Sequence, residues 1–112
     1  MRIQGAGVRT VKGIFIDARN QEVRAVKQRP DTLAHRLGCS RVMIAPLLVD
    51  LARPMALYAS GDKGRRTYGF TLTDSPFPVN GYGILLGIDL FTKEDRDIPV
   101  TVEAVRKSVT FF

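Results

Sequence analysis

Val11-Lys-Gly-Ile-Phe-Ile-Asp17, Ala18-Arg-Asn-Gln21 and Glu22-Val-Arg-Ala-Val-Lys-Gln28 follow one another near the start of the chain. The first stretch is rich in β-branched and aromatic residues and reads as a strand. The second holds turn formers, with Asn20 suited to a left-handed backbone. The third alternates as a returning strand. An N-terminal β-hairpin is expected, and with it a domain organised by antiparallel pairing.

Working outward, Arg29-Pro-Asp31 ends the alternation. Asp31 is a good N-cap, Leu33 and Leu37 stand at i and i+4, and Gly38 suits the C′ position, so the spacing predicts a short helix over 32–37. A helix of under two turns needs tertiary packing to persist. Residues 42–48 form an apolar run broken by Pro46, which marks an edge strand. Met55–Ser60 and 66–72 flank Gly61-Asp-Lys-Gly64 and read as a second hairpin. Asp74-Ser-Pro-Phe-Pro78 reads as a loop, Tyr82–Ile88 as a buried strand, and 93–97 as a solvated charged loop. Near the C-terminus Ile98, Val100 and Val102 alternate like a strand. Thr101 also suits a helix cap, with Val102, Val105 and Val109 at helical spacing, Glu103 in the first turn and Arg106 and Lys107 in the last. That charge placement favours a helix over 102–109. The expected fold is α+β, a mostly antiparallel sheet of five or six strands built from hairpins, with the two helices covering part of it.

At 112 residues the chain is expected to be one domain over 1–112, with a loosely ordered, Gly-rich segment at 1–10. That length buries roughly two-thirds of the unfolded surface. An apolar content of 45% and a charged content of 25% are those of a soluble globule and exclude a disordered tail. The apolar runs fall short of the ~20 residues of a membrane span, and Gln4, Gly5, Gly7, Arg9 and Thr10 interrupt any signal-peptide core. Cys39 is the lone cysteine, which excludes an internal disulfide and fits a reducing compartment. A cytoplasmic protein with no membrane partner is expected.

Charge is distributed unevenly. Residues 1–41 hold Arg2, Arg9, Lys12, Arg19, Arg24, Lys27, Arg29, Arg36 and Arg41 against Asp17, Glu22 and Asp31, while residues 42–112 are neutral overall. The whole net charge of +6 therefore sits in the first third, where it builds a one-sided field that attracts a polyanion.

No motif for chemistry stands out. His35 is the sole histidine, and with Cys39 it supplies two ligands, too few for a zinc set, so no metal is expected. A nucleophilic pair from these two would have to form across the break at Gly38. Gly81-Tyr-Gly-Ile-Leu-Leu-Gly87 lacks both the following helix and the Lys-Ser/Thr pair of a phosphate loop, and reads as a tight turn into a strand whose glycines allow close backbone approach. Glu94, Asp95 and Asp97 alternate with Lys93 and Arg96, which oppose a cation. No catalytic residue and no cofactor is expected. The basic residues remain. Arg19, Arg24, Lys27 and Arg29 lie on or beside the first hairpin, and Lys63, Arg65 and Arg66 at the tip of the second. Hairpins can present such residues to phosphates.

Several short stretches together are familiar: Val11-Lys-Gly-Ile-Phe-Ile-Asp17 followed by Val23 and Val26, Leu37-Gly-Cys39, Leu57-Tyr58 before a glycine turn, Pro78 with Gly81 and Gly83 leading into Leu85-Leu-Gly-Ile-Asp89, and Thr101-Val-Glu-Ala-Val105 ending in Val109-Thr-Phe111. In these the chain resembles an uncharacterised family of small proteins carried by phages, plasmids and integrative elements, a domain of unknown function. The resemblance implies a mobile-element setting and no known activity. In that family the segment after Leu57-Tyr58 enters an acidic Asp–Glu turn. Here Ala59-Ser-Gly-Asp-Lys-Gly-Arg-Arg66 is basic, which points to a more anionic target.

Three function classes follow. The first is a non-enzymatic protein that binds nucleic acid or a nucleoprotein complex, such as an inhibitor of a host defence complex of the CRISPR or restriction kind. A DNA mimic is excluded, because mimicry demands a strongly acidic surface. The second is a protein–protein module or homodimer without a nucleic-acid role, marked by an exposed apolar patch or a symmetric edge strand. The third is a small-ligand or nucleotide binder, which requires a convergent polar pocket.

Overall fold

The opening hairpin forms as its alternation requires. In a computed structural model, which describes residues 10–47, 54–61, 68–73 and 75–112, β1 (Val11–Asp17) pairs antiparallel with β2 (Glu22–Gln28), in continuous register from Val11↔Gln28 to Asp17↔Glu22. Its turn differs in detail from expectation. The buried Asp17 carboxylate accepts the Asn20 backbone N–H at 3.1 Å and its side-chain amide at 2.8 Å. With Asn20 held in this way, the left-handed backbone falls on Gln21, at φ 54°.

After a single 3-10 turn comes α1 (Leu33–Leu37), which ends on Gly38 in the left-handed region at φ 65°. Asp31 does not cap it. Arg29 takes the Asp31 carboxylate, with Nε at 3.1 Å and Nη2 at 2.7 Å. What holds so short a helix is burial of Leu33 and Leu37, each contributing about 1.5–3 kcal/mol. The remaining elements are β3 (Val42–Leu47), β4 (Met55–Ser60), β5 (Gly69–Leu72), β6 (Ser75–Asn80), β7 (Tyr82–Ile88), β8 (Asp95–Arg96), α2 (Val102–Ser108) and β9 (Val109–Phe111).

The strands divide over two sheets. The larger runs β2-β1-β7-β4-β3, with β8 pairing the far end of β7, and the smaller runs β6-β5-β9. The described fold is therefore α+β and mostly antiparallel, with a short helix and a helix near the C-terminus. The expected hairpin of 55–72 does not form, because β4 pairs with β3 and β7 while β5 pairs with β6 and β9. Burial gives the reason. Ala56, Leu57, Tyr58 and Ala59 are all buried, so β4 needs a strand on each side and cover on each face, and a hairpin partner alone supplies too little. The expected loop around Pro76 and Pro78 is instead β6, an edge strand of the small sheet, where a missing N–H faces outward and breaks no ladder.

Strand alternation sorts the core into two layers, one on each face of the large sheet. Phe15, Tyr58, Ile84 and Leu86 face α1 and meet Leu33 and Leu37. Ile14, Ile16, Leu57 and Leu85 face the small sheet and α2, and meet Phe70, Leu72 and Val105. Gly83 makes the second layer possible: a Cβ there would lie 2.6 Å from the ring of Phe70, which is fully buried against β7. The C-terminal helix forms on the predicted cap, with Thr101 Oγ1 accepting the Ala104 N–H at 3.1 Å, and it ends one residue early because Val109 opens β9. Residues 93–97 are more structured than a solvated loop. Asp95 accepts a hydrogen bond from the Tyr58 hydroxyl, and the Asp97 carboxylate accepts the Lys12 backbone N–H at 2.8 Å.

Candidate functional site

The turn between β1 and β2 lies at one end of the large sheet, beside Gly81, which at φ 90° turns the chain from β6 into β7. Three aromatic rings gather there. Phe15 stacks on Tyr82 with centroids 5.6 Å apart, and Tyr82 meets Tyr68 at 5.9 Å. Phe15 is buried, while the two tyrosines are half-buried. The row forms because Phe15 and Tyr82 project from neighbouring strands onto the α1 face, and Tyr68 accepts the Gly81 N–H through its carbonyl at 3.0 Å.

Three arginines from three different elements close on this row. Arg24 of β2 places its guanidinium 5.0 Å from the Phe15 ring centre, and Arg36 of α1 lies 5.8 Å from the same ring. Arg19, from the turn, donates to the Tyr82 hydroxyl. Burial raises the Tyr82 pKa first, with the hydrogen bond to Tyr68 and the charge of Asp17 adding to it, while the Arg19 contact opposes them. Arg36 is fixed further by Gln28, whose buried side chain accepts its Nε at 2.5 Å and donates to the Arg29 carbonyl at 2.7 Å and to Thr32 Oγ1 at 3.1 Å. Both guanidiniums lie within cation–π distance of the Phe15 ring, which adds to the contacts that hold them at this end of the sheet. Two carboxylates temper the charge: Glu22 lies 3.5 Å from Arg24, and Asp17 lies opposite Tyr82 in the ladder.

Arg19 and Arg24 thus flank one aromatic row, and the other described candidate residues lie elsewhere. Lys27 sits opposite Lys12 in the register and, by alternation, on the other face of the sheet. Arg29 is engaged by Asp31. Lys63, Arg65 and Arg66 lie outside the described residues, in the chain segment that leads into Tyr68. Arg36 was missed by the sequence reading. The signal for it was its position, three residues after Leu33 and one before Leu37, which lays its stem along the docking side of the helix.

A cleft of about 320 Å³ runs along the outer edge of β2, lined by Gln21, Glu22, Val23, Arg24, Arg106 and Phe111. Arg106 of α2 donates to the Val23 carbonyl at 3.1 Å and pairs with Glu103 at 2.5 Å. Arg106 and Arg24 thus line the same cleft. His35 is exposed and Cys39 half-buried, and among the described residues no three His, Cys, Asp or Glu side chains gather as a metal site. No helix among the described residues is long and apolar enough to cross a membrane. Comparison with family models, curated proteins and solved structures finds no match to this chain.

Proposed function

We propose that the chain is a non-enzymatic binding protein whose anionic partner is single-stranded nucleic acid, taken at the end of the large sheet. The observation that carries this reading is the convergence of Arg19, Arg24 and Arg36 on the row Phe15, Tyr82 and Tyr68. Phosphates meet the guanidiniums, and bases stack on the half-buried tyrosines, the combination on which sequence-tolerant strand binding rests. Lys63, Arg65 and Arg66 enter this proposal by their charge in the sequence alone. Lys27 and Arg29 act as distant field rather than as contacts. Its resemblance to mobile-element proteins extends the reading to an inhibitor that competes for the nucleic-acid path of a host defence complex.

A fluorescence-anisotropy titration of labelled single-stranded DNA and RNA, at about 50 and about 300 mM salt, tests it. Wild type should bind at low salt and weaken steeply at high salt. The Arg19→Gln/Arg24→Gln double variant should lower the slope of log K against log salt by about two, one for each lost phosphate contact. The Lys27→Gln/Arg29→Gln variant should retain most of its affinity. No binding at low salt, or equal losses in both double variants, rejects the site.

A further inference from the structure

Among the described residues the large sheet has two outer edges, and the one formed by β3 ends the strand order with no described strand paired beyond it. The direction of its backbone groups follows from one hydrogen bond. The Gly61 N–H donates to the Arg41 carbonyl at 2.6 Å, so the residues facing β4 are the odd-numbered ones, and Val42, Ile44 and Pro46 turn their backbones outward. Pro46, which has no N–H, is placed where none is required of it. The outer edge thus offers N–H groups at Val42 and Ile44 and carbonyls at Val42, Ile44 and Pro46. Two of its side chains are open as well: Met43 is 57% exposed and Ile44 58%, and as neighbours in a strand they stand on opposite faces. No charged residue occurs between Val42 and Leu47, so the devices that normally blunt an edge are missing apart from one proline.

We infer that β3 pairs antiparallel with β3 of a second copy, joining two large sheets across a two-fold axis at Met43. The edge is its own complement under that operator. Val42 lies opposite the partner copy's Ile44 and Ile44 opposite its Val42, and each pair exchanges two hydrogen bonds, so every outward N–H finds a carbonyl. Pro46 falls outside the paired centre. Met43 meets its own copy on one face, Ile44 and Val42 meet on the other, and both exposed apolar side chains are covered. The two Arg41 side chains lie toward opposite ends of the contact, so the positive charge of each copy is kept apart. A strand of six residues presents an edge of about 20 Å. Pairing along it buries well under the ~1,200 Å² of a stable interface, so dissociation in the micromolar range, about 10–100 µM, is expected.

Cysteine trapping reads the register directly. On a Cys39→Ser background, Met43→Cys sits in a pair with no ladder hydrogen bonds and a Cα separation of about 4.5 Å, which a disulfide spans. Mild oxidation of the full chain should convert Met43→Cys to covalent dimer at least about tenfold faster than Ile44→Cys, whose partner position is Val42. Sedimentation velocity on the uncrosslinked protein should show reversible dimer. Ile44→Lys and Val42→Pro, which leave the bonds to β4 intact, should each weaken it about tenfold or more while keeping the wild-type circular dichroism spectrum. Equal trapping at 43 and 44, monomer at all concentrations up to about 1 mM, or dimer undiminished in both edge variants overturns the pairing.

Discussion

The two outer edges of one sheet are finished in opposite ways. The β2 edge is charged, with Glu22, Arg24 and Lys27 along it, and Arg106 reaches across from α2 to occupy the Val23 carbonyl. The β3 edge exposes apolar Met43 and Ile44 on opposite faces and, among the described residues, carries no such plug. Edges left bare are sites of strand addition, and edges that are charged and plugged refuse it. The contrast sets the two proposals apart on one small molecule: a flexible anionic chain at the polar end, and another strand at the bare edge.

The comparison is broken most severely by removing the ring on which the β2 side rests. Phe15→Ala deletes a buried side chain that supports two guanidiniums and stacks on Tyr82, and it should cost about 3–5 kcal/mol in urea unfolding. A loss under 1 kcal/mol would mean that the surrounding layer collapses onto the gap. Next comes the plug. Arg106→Ala removes the donor to Val23, with an expected loss of about 1.5 kcal/mol in the same assay. An unchanged midpoint would show that water serves that carbonyl equally well.

The smallest effect sharpens the comparison from the β3 side. Tyr58 lies opposite Ile44 in the ladder and donates to Asp95. Burial, with the bond to Asp95 and its charge adding to it, holds the phenol neutral well above its ordinary value of 10.0. Because the folded-state pKa is raised, this contribution is complete below pH 10.0 and is lost as pH rises beyond it. Tyr58→Phe should cost about 1 kcal/mol near neutral pH and flatten the alkaline decline, and a decline of equal steepness in the variant would place its origin in another group.

Which parts were legible in the sequence follows from how local their causes are. The β1–β2 hairpin, the Thr101 cap, the Gly38 terminus and the edge character signalled by Pro46 all depend on residues within one turn or one strand. The separation of β4 from β5 does not. It depends on which strands cover Ala56, Leu57, Tyr58 and Ala59, and those partners, Ile84 and Leu85 among them, stand more than 20 positions away. The cluster at the end of the sheet was legible only in part, for the same reason. Arg19 and Arg24 share a hairpin whose alternation is plain, whereas Arg36 joins them only because α1 docks over Phe15. Lys27 was grouped with Arg24 by proximity in sequence, although a separation of three in a strand puts two side chains on opposite faces.

The strand order has a consequence for how the chain is made. β7 stands between β1 and β4, so β1–β2 and β3–β4 touch each other through the sheet only by way of a strand synthesised after both. On the ribosome the two early pairs must wait, with their apolar faces unmatched, until residues 82–88 emerge. Closure then sets Leu85 between Ile14 and Leu57, contacts of long sequence separation whose loop entropy must be met before they reward it. During that delay the nascent chain is at its most vulnerable to misassociation, and β3, apolar along its length, is the segment that chaperones would have to shield.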